Sequence, residues 1–445
     1  MEYEKHLPIR EAAVEGGRVR GIRGNNPGYT VFKGIPYAAP PVGELRWRRP
    51  RPVIPWEGVR VCDRFGPIAP QPNTDGDMMF GRDNYPPLEQ SEDCLYLNVW
   101  TPAWSTAQKL PVFVSIHGGA FAVGAGSWTY FDGEAYCRQG VVSVTFNYRL
   151  GALGYLAHPE LSARDELGIS GNYGFYDQLA ALKWVRENIS AFGGDPDNVT
   201  IAGQSAGAGT VLAMTVSPLA EGLFKKGIVQ SGFILGQHSN CNPPALREGE
   251  EYGVQFMREL GCASLDELLA LPPEKLCFDE GMMVGRPFLP LSDGRAFTEG
   301  FYATLSAGRH RNATFLYGNT SEEMCMDPLH RKLMLDDAIA FARLQEALGR
   351  RTWLYCFSRR LPTPDNVGAA HAAELWYEYG TLNRSWMPFN GSDYQLSLNM
   401  VTYWANFMKH GDPNGDGLPR WRAYDSGDPQ FMELNDNLGM RRLTQ

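Results

Sequence analysis

The middle of the chain alternates two patterns. Unbroken apolar, β-branched runs at Pro111 to Ile116, Val141 to Asn147 and Asn198 to Ala202 are separated by stretches with helical spacing, of which Tyr176 to Asn188 is the clearest. A run that is apolar at every position predicts a strand buried on both faces. Strands alternating with helices predict right-handed crossovers, and hence an α/β fold with a mostly parallel central sheet covered by helices on both faces. Such sheets hold ligands beyond the carboxyl ends of their strands. Small residues cluster at two of those exits, His117-Gly118-Gly119-Ala120 and Gly203-Gln204-Ser205-Ala206-Gly207. No internal repeat, low-complexity block or long linker interrupts the chain, so residues 1–445 are expected to form a single domain.

The second exit carries the strongest chemical signal. Val199-Thr200-Ile201-Ala202 runs into Gly203-Gln204-Ser205-Ala206-Gly207, and Ala206 to Met214 is small or apolar enough to begin a helix. Strand, sharp turn and helix are the context that G-x-S-x-G needs to present a serine nucleophile: the turn strains the backbone and lifts Oγ from the sheet, while flanking glycines avoid clashes. The helix also directs its positive end at charge developing there. The first exit, after Val112-Phe113-Val114-Ser115-Ile116, has small residues that let backbone N–H groups approach a substrate. Acyl transfer places negative charge on a carbonyl oxygen, which fixed amides stabilise.

Charge and length narrow the remaining classes. With 41 Lys+Arg against 50 Asp+Glu the net charge is −9, and no basic cluster suits a phosphate backbone, so nucleic acid is not an expected partner. The longest apolar stretches, such as Val112 to Ile116 and Val141 to Phe146, fall far short of the roughly 20 residues that span a bilayer, so no membrane partner is expected. The opening Met-Glu-Tyr-Glu-Lys-His does not resemble a secretory signal, which points to a cytoplasmic protein. Eight scattered cysteines lack C-x-x-C pairs or zinc-ligand spacing. No metal or organic cofactor is implied.

Many ordered segments resemble the type-B carboxylesterases, the cholinesterase-like branch of the α/β-hydrolases, and most nearly their bacterial para-nitrobenzyl-esterase-like members. They include Phe32-Lys33-Gly34-Ile35-Pro36-Tyr37-Ala38, Arg46-Trp47-Arg48-Arg49-Pro50, Ser91-Glu92-Asp93-Cys94-Leu95-Tyr96-Leu97-Asn98-Val99, Asn147-Tyr148-Arg149-Leu150, Gly171-Asn172-Tyr173-Gly174, Phe192-Gly193-Gly194-Asp195-Pro196, Trp404-Ala405-Asn406-Phe407 and Gly411-Asp412-Pro413-Asn414. The resemblance implies an α/β-hydrolase fold and a serine carboxylesterase acting on short-chain alkyl or aryl esters through an acyl-enzyme on Ser205. It implies oxyanion donors at the amides of Gly119, Ala120 and Ala206, with Gly118 shaping the loop. It also implies a structural ion pair between Arg46 and Glu92. The expected partner is a small-molecule ester, and the expected state a monomer or homodimer.

An α/β-hydrolase orders its triad as serine, acid, histidine. Chain order leaves His330, His371 and His410 as bases, and Gly368-Ala369-Ala370-His371-Ala372-Ala373-Glu374-Leu375 resembles the family's histidine loop, which selects His371. For the acid, Leu316-Tyr317-Gly318-Asn319-Thr320-Ser321-Glu322-Glu323 leads from a strand into a loop. The residues alone leave Glu322 and Glu323 open; the family spacing selects Glu323. Ser231 matches a family position near the triad and is either a hydrogen-bonding support or an ordinary structural serine. Gln204 stands where cholinesterases carry an acid, the aromatic platform falls near Asn84, and both departures argue against choline esters. Cys94 lacks its usual partner, since Cys62 is out of register and Ala69 fills the expected place. The interval from Glu323 to His371 is short for the family, with the shortfall near Met326 to Met334, which implies a reduced cap and either a wider gorge or a gorge wall left to a neighbouring subunit. Met78-Met79-Phe80 could line an apolar mouth, and Trp376, Trp386 and Phe389 either line the gorge or fill the core. A non-catalytic binding module, or an amidase, thioesterase or lipase with the same triad, are the alternatives.

Overall fold

A computed structural model describes residues 7–26, 28–72, 88–232, 243–277, 288–298, 300–323 and 328–443. Its strands are β1 (Glu11–Val14), β2 (Gly17–Arg23), β3 (Thr30–Pro36), β4 (Val59–Cys62), β5 (Tyr96–Thr101), β6 (Leu110–Ile116), β7 (Val142–Phe146), β8 (Gly194–Gln204), β9 (Lys226–Gln230), β10 (Thr314–Thr320), β11 (Thr352–Phe357), β12 (Gln430–Leu434) and β13 (Gly439–Arg442). They form one sheet in the order β1-β2-β3-β5-β7-β6-β8-β9-β10-β11-β12-β13, with β4 paired to β2. From β7 to β12 every pairing is parallel. The flanks β1, β2, β3 and β5 and the terminal β13 are antiparallel additions.

Alternate residues of the central strands enter two different cores, as the two-residue period of a strand requires. On β10, Phe315 and Tyr317 join one core and Leu316 the other; on β11, Leu354 joins the first while Trp353, Tyr355 and Phe357 join the second. The first core is closed by helices Tyr173–Asn188 and Ala206–Val216, the second by Leu375–Glu378 and Gly391–His410. Fully burying an aromatic or branched aliphatic side chain contributes roughly 1.5–3 kcal/mol, so each face anchors its helices independently of the other.

Two buried ion pairs brace the site's surroundings. Arg149 is bidentate to Asp177, with Nη2 2.7 Å from Oδ1, tying the loop after β7 to helix Tyr173–Asn188. Arg46 is bidentate to Glu92, and its Nη1 also donates to the carbonyls of Leu269 and Leu271, as the expected structural pair requires. Trp376 is buried in the second core and Trp386 and Phe389 pack against it, so these rings fill space between helices.

The chain reverses its direction of travel across the sheet at β6, which lies between β7 and β8. The resulting crevice opens beyond the carboxyl ends of β6 and β8. Among the described residues no helix is long and apolar enough to cross a membrane.

Candidate active site

The parallel register sets the site's first dimension. Ile116 of β6 pairs with Gly203 of β8, while Gln204 pairs with Gln230 of β9, which in turn pairs with Gly318 of β10. The chain therefore leaves four adjacent strands at one level, carrying His117-Gly118-Gly119-Ala120, Ser205, Ser231 and the loop to Glu323 to the same rim.

Ser205 takes φ 58° and ψ −123°, a conformation that costs a non-glycine residue about 1–3 kcal/mol. It is held there by its own amide, which donates to Gln230 O at 2.9 Å, and by its carbonyl, which accepts from Gly209 N at 2.9 Å. The flanking glycines are sterically required. A Cβ on Gly207 would stand 2.1 Å from Ile116 O, and one on Gly203 would stand 2.3 Å from the backbone of Gly207. Ala206 opens helix Ala206–Val216, so its N–H is one of those that a helix start leaves without an intrahelical acceptor.

The loop after β6 is wound left-handed at Gly119 (φ 102°), Ala120 (φ 53°) and Phe121 (φ 60°). A Cβ on Gly119 would meet Val123 O at 2.1 Å, and one on Gly118 would meet Gln204 O at 2.5 Å. Among the described residues the amides of Gly119, Ala120 and Ala206 donate to no acceptor. Beneath the loop His117 is buried and stacked on Tyr148, with ring centroids 4.2 Å apart. Burial pushes its imidazole down to about 4, only partly offset by Gly118 O, so it stays neutral at physiological pH.

Glu323 and His371 meet across the sheet's rim. Glu323 is completely buried; its Oε2 contacts His371 Nδ1, and its Oε1 accepts from Ser231 Oγ at 2.5 Å and from Thr320 N at 2.8 Å. Burial by itself would raise this carboxyl, but the bonds from His371, Ser231 and the Thr320 amide prevail and hold it below its ordinary range. Glu322 points elsewhere. It pairs with Arg360, its amide donates to Ala369 O at 3.1 Å, and its side chain lies against Gly368, so it pins the histidine loop from outside. Ser231 thus hydrogen-bonds Glu323 directly, one of the two places the sequence left open for it.

Other contacts at the rim had no local sequence signal. Gln204 Nε2 lies 3.1 Å from His371 Nε2. An amide nitrogen can only donate, so Nε2 accepts and Nδ1 carries the ring proton toward Glu323. Among the described residues no hydrogen bond joins Ser205 Oγ to His371; apo sites commonly leave that bond to be made when substrate arrives. Gln230 holds the Ser205 amide through its carbonyl while its Nε2 donates to Glu378 Oε2 at 2.6 Å. Burial pushes Glu378 up to about 8 and Glu374 well above the usual carboxylate range, the latter also opposed by the Glu323 charge. Of three buried carboxyls around the histidine loop, only Glu323 is held low.

His410 is exposed at the end of helix Gly391–His410. The side chain of His330, the Met78-Met79-Phe80 mouth, Asn84 and the Met326 start of the shortened interval lie outside the described residues. Cys62 and Cys94 are both buried free thiols among the described residues.

The model of the carboxylesterase family matches residues 7–275 and 305–445. The chain is 35% identical to the para-nitrobenzyl esterase of Bacillus subtilis (strain 168), over 95% of this chain and 94% of that protein. It is 33% identical to the fumonisin B1 esterase of Sphingopyxis macrogoltabida, over 93% of this chain and 84% of that protein. A solved PNB esterase structure superposes with a TM-score of 0.84 at 32% identity, covering 97% of both chains. A thermophilic PNB esterase gives 0.85 at 30% identity, again over 97% of each chain. The chain therefore belongs to the carboxylesterase family of α/β-hydrolases and is a carboxylic ester hydrolase.

Proposed function

We propose that Ser205 is the nucleophile, His371 the general base and acid, Glu323 the group that orients and charges against His371, and the amides of Gly119, Ala120 and Ala206 the oxyanion donors. The observation that carries this reading is the Glu323–His371 contact at the same rim as the strained Ser205 turn. Substrate entry lets Gln204 yield His371 Nε2 to Ser205. Oγ attacks the ester carbonyl carbon as its proton passes to Nε2, and the carbonyl oxygen takes up negative charge among the three amides. Collapse expels the alcohol, which receives the proton from Nε2, and leaves an acyl-enzyme on Oγ. Water then repeats the sequence in reverse roles, releasing the carboxylic acid and restoring Ser205. Glu323 remains ionised throughout, stabilising the imidazolium formed in both halves.

The substrates are short-chain alkyl or aryl esters, and the neutral amide of Gln204 beside the nucleophile disfavours cationic alcohols. Cytoplasmic residence is supported by six free cysteines among the described residues. Ser205→Ala is expected to abolish both hydrolysis of short-chain p-nitrophenyl esters and labelling by an organophosphate while leaving the fold intact. Retention of either by the folded variant overturns the assignment, and a folded wild type with no ester turnover would instead favour a binding module.

A further inference from the structure

A buried amide side chain reaches the loop after β6 from far earlier in the chain. Gln71, 53 positions before Gly124, donates from Nε2 to Gly124 O at 3.0 Å and accepts at Oε1 from Gly124 N at 2.7 Å. These are the two bonds that a residue on a neighbouring antiparallel strand would exchange with Gly124. Gln71 Nε2 also donates to Ala69 O at 3.0 Å, so both polar atoms of the side chain are engaged and the amide has one orientation. The backbone behind it is fixed as well. Gln71 N donates to Gln90 Oε1 at 2.8 Å, Ile68 N to Glu89 O at 2.8 Å, and Ser91 N to Ile68 O at 2.9 Å.

Gly124 matters because of what it rests on. Its φ is 121°, and a Cβ there would strike His117 Nδ1 and Gly118 O, so its backbone lies directly against the start of the loop. The peptide unit joining Val123 to Gly124 has its N–H on Gln71 and its carbonyl against Gly119, where an added Cβ would meet it. A trans peptide is planar with its C=O and N–H opposed, so holding one end aims the other. The same rule governs two further peptides of the loop. Gly118 O accepts from His117 Nδ1 at 2.9 Å, which turns the Gly119 N–H the opposite way. Gly119 O accepts from the amides of Ala122 and Val123, at 2.9 Å each, which turns the Ala120 N–H likewise. Gln71 therefore holds the segment, Val123-Gly124, that packs on Gly118 O and donates to Gly119 O.

We propose that Gln71 is a positioning residue for ester hydrolysis, acting through Gly124 to keep the Gly118 to Gly124 loop in the conformation in which the Gly119 and Ala120 amides converge on the oxyanion. The proposal rests on the reading of those amides as oxyanion donors. Donors fixed in advance stabilise the developing charge without reorganising at the moment of reaction, and a loosened loop forfeits that advantage while leaving substrate binding in place. The far end of the loop has its own anchors. Gly126 N donates to Asn147 Oδ1 at 2.9 Å, and Gly126 O accepts from Thr145 Oγ1 at 2.6 Å, so a change at Gln71 is confined to the residues before Gly126.

Gln71→Met keeps the length of the side chain and removes its bonds to Gly124. The full-length variant and wild type are compared on p-nitrophenyl acetate and with a trifluoromethyl ketone, to whose carbonyl carbon a serine Oγ adds, leaving the charge on the tetrahedral oxygen. Misplacing or losing an oxyanion donor costs on the order of a hundredfold, so kcat is expected to fall between about tenfold and a hundredfold, with KM changed less than about threefold. The inhibition constant of the ketone should rise by the same factor as kcat/KM falls, because both report the tetrahedral state. Gln71→Asn, still polar but one methylene short of Gly124, is expected to show the same split, and it carries the test should Gln71→Met not fold. Wild-type kcat in either folded variant, a rise in KM alone, a lower kcat with unchanged ketone affinity, or loss of the fold in both variants overturns the proposal. Turnover and ketone binding that survive Ser205→Ala would instead sink the catalytic reading on which it rests.

Discussion

At the scale of single residues, the two adjacent glutamates show what local sequence can and cannot decide. Glu322 and Glu323 are chemically identical and one position apart, so no propensity or charge argument separates them; only the family spacing does. The physical difference lies in tertiary contacts. Glu323 turns inward to three donors, while Glu322 pairs with the half-exposed Arg360. Removing the charge of an orienting acid in a serine hydrolase lowers kcat by about ten-thousandfold, because the imidazole loses its tautomer and its counter-charge. Glu323→Gln is expected to show a loss of that order on p-nitrophenyl acetate. A surface ion pair such as that of Glu322 is worth about 0–1 kcal/mol, so Glu322→Gln should lose less than about tenfold. Comparable losses in the two folded variants would dismiss the assignment of Glu323. Gln204 and Gln230 illustrate the other limit. Their contacts join residues distant in sequence, and an ordinary glutamine carries no pattern that would announce them.

At the scale of elements, the strained turn at Ser205 was legible because its requirements fall within a few consecutive residues. Glycine at 203 and 207 is dictated by carbonyl and backbone atoms that any Cβ would strike. The bounds of the same elements were less legible. The apolar run from Asn198 to Ala202 marks only the centre of β8, which begins at Gly194 because that residue pairs with Leu110. The polar stretch Asp195-Pro196-Asp197 masks this extension, and the register shifts between Leu110 and Val112 where it passes. Helix Tyr173–Asn188 starts three residues before the apolar pattern suggests, just after Asn172, whose left-handed backbone and side-chain bonds to Leu291 fix the start. The outermost antiparallel strands, β1 and β13, are four residues each and partly exposed, and left no comparable apolar run. Gly207→Ala tests the turn directly. Its Cβ would force β6 and the turn apart, at a cost of about 1–3 kcal/mol of stability. A shift near 1 Å between Ser205 and the loop proposed to hold the oxyanion should lower kcat by roughly a hundredfold. Urea unfolding and kcat on one preparation measure both effects, and wild-type values for the two together would refute the steric argument.

At the scale of the whole molecule, groups on opposite sides of the site set opposing limits on stability. His117 has its imidazole lowered from 6.5 to about 4 by burial. As pH falls below 6.5 the unfolded chain takes up this proton and the folded chain does not, so stability is lost between 6.5 and 4, by about 3 kcal/mol at most. Glu378 is shifted the other way, from 4.5 to about 8, again by burial. As pH rises above 4.5 the unfolded chain releases the proton that the folded chain keeps. Stability from this group therefore falls progressively until pH reaches 8, by up to about 5 kcal/mol. A buried acid beside Gln230 is thus tolerated at an increasing cost toward alkaline pH. Glu378→Gln keeps the shape of the neutral acid and an oxygen for the Gln230 amide, but has no proton to lose. Relative to wild type, its unfolding free energy in urea should improve steadily from about pH 5 to about pH 8, by a few kcal/mol across that span. A difference between variant and wild type that is independent of pH would mean that Glu378 is ionised in the folded protein, with Gln230 Nε2 and the Tyr136 hydroxyl, 3.5 Å from Glu378 Oε1, sufficient to hold its charge.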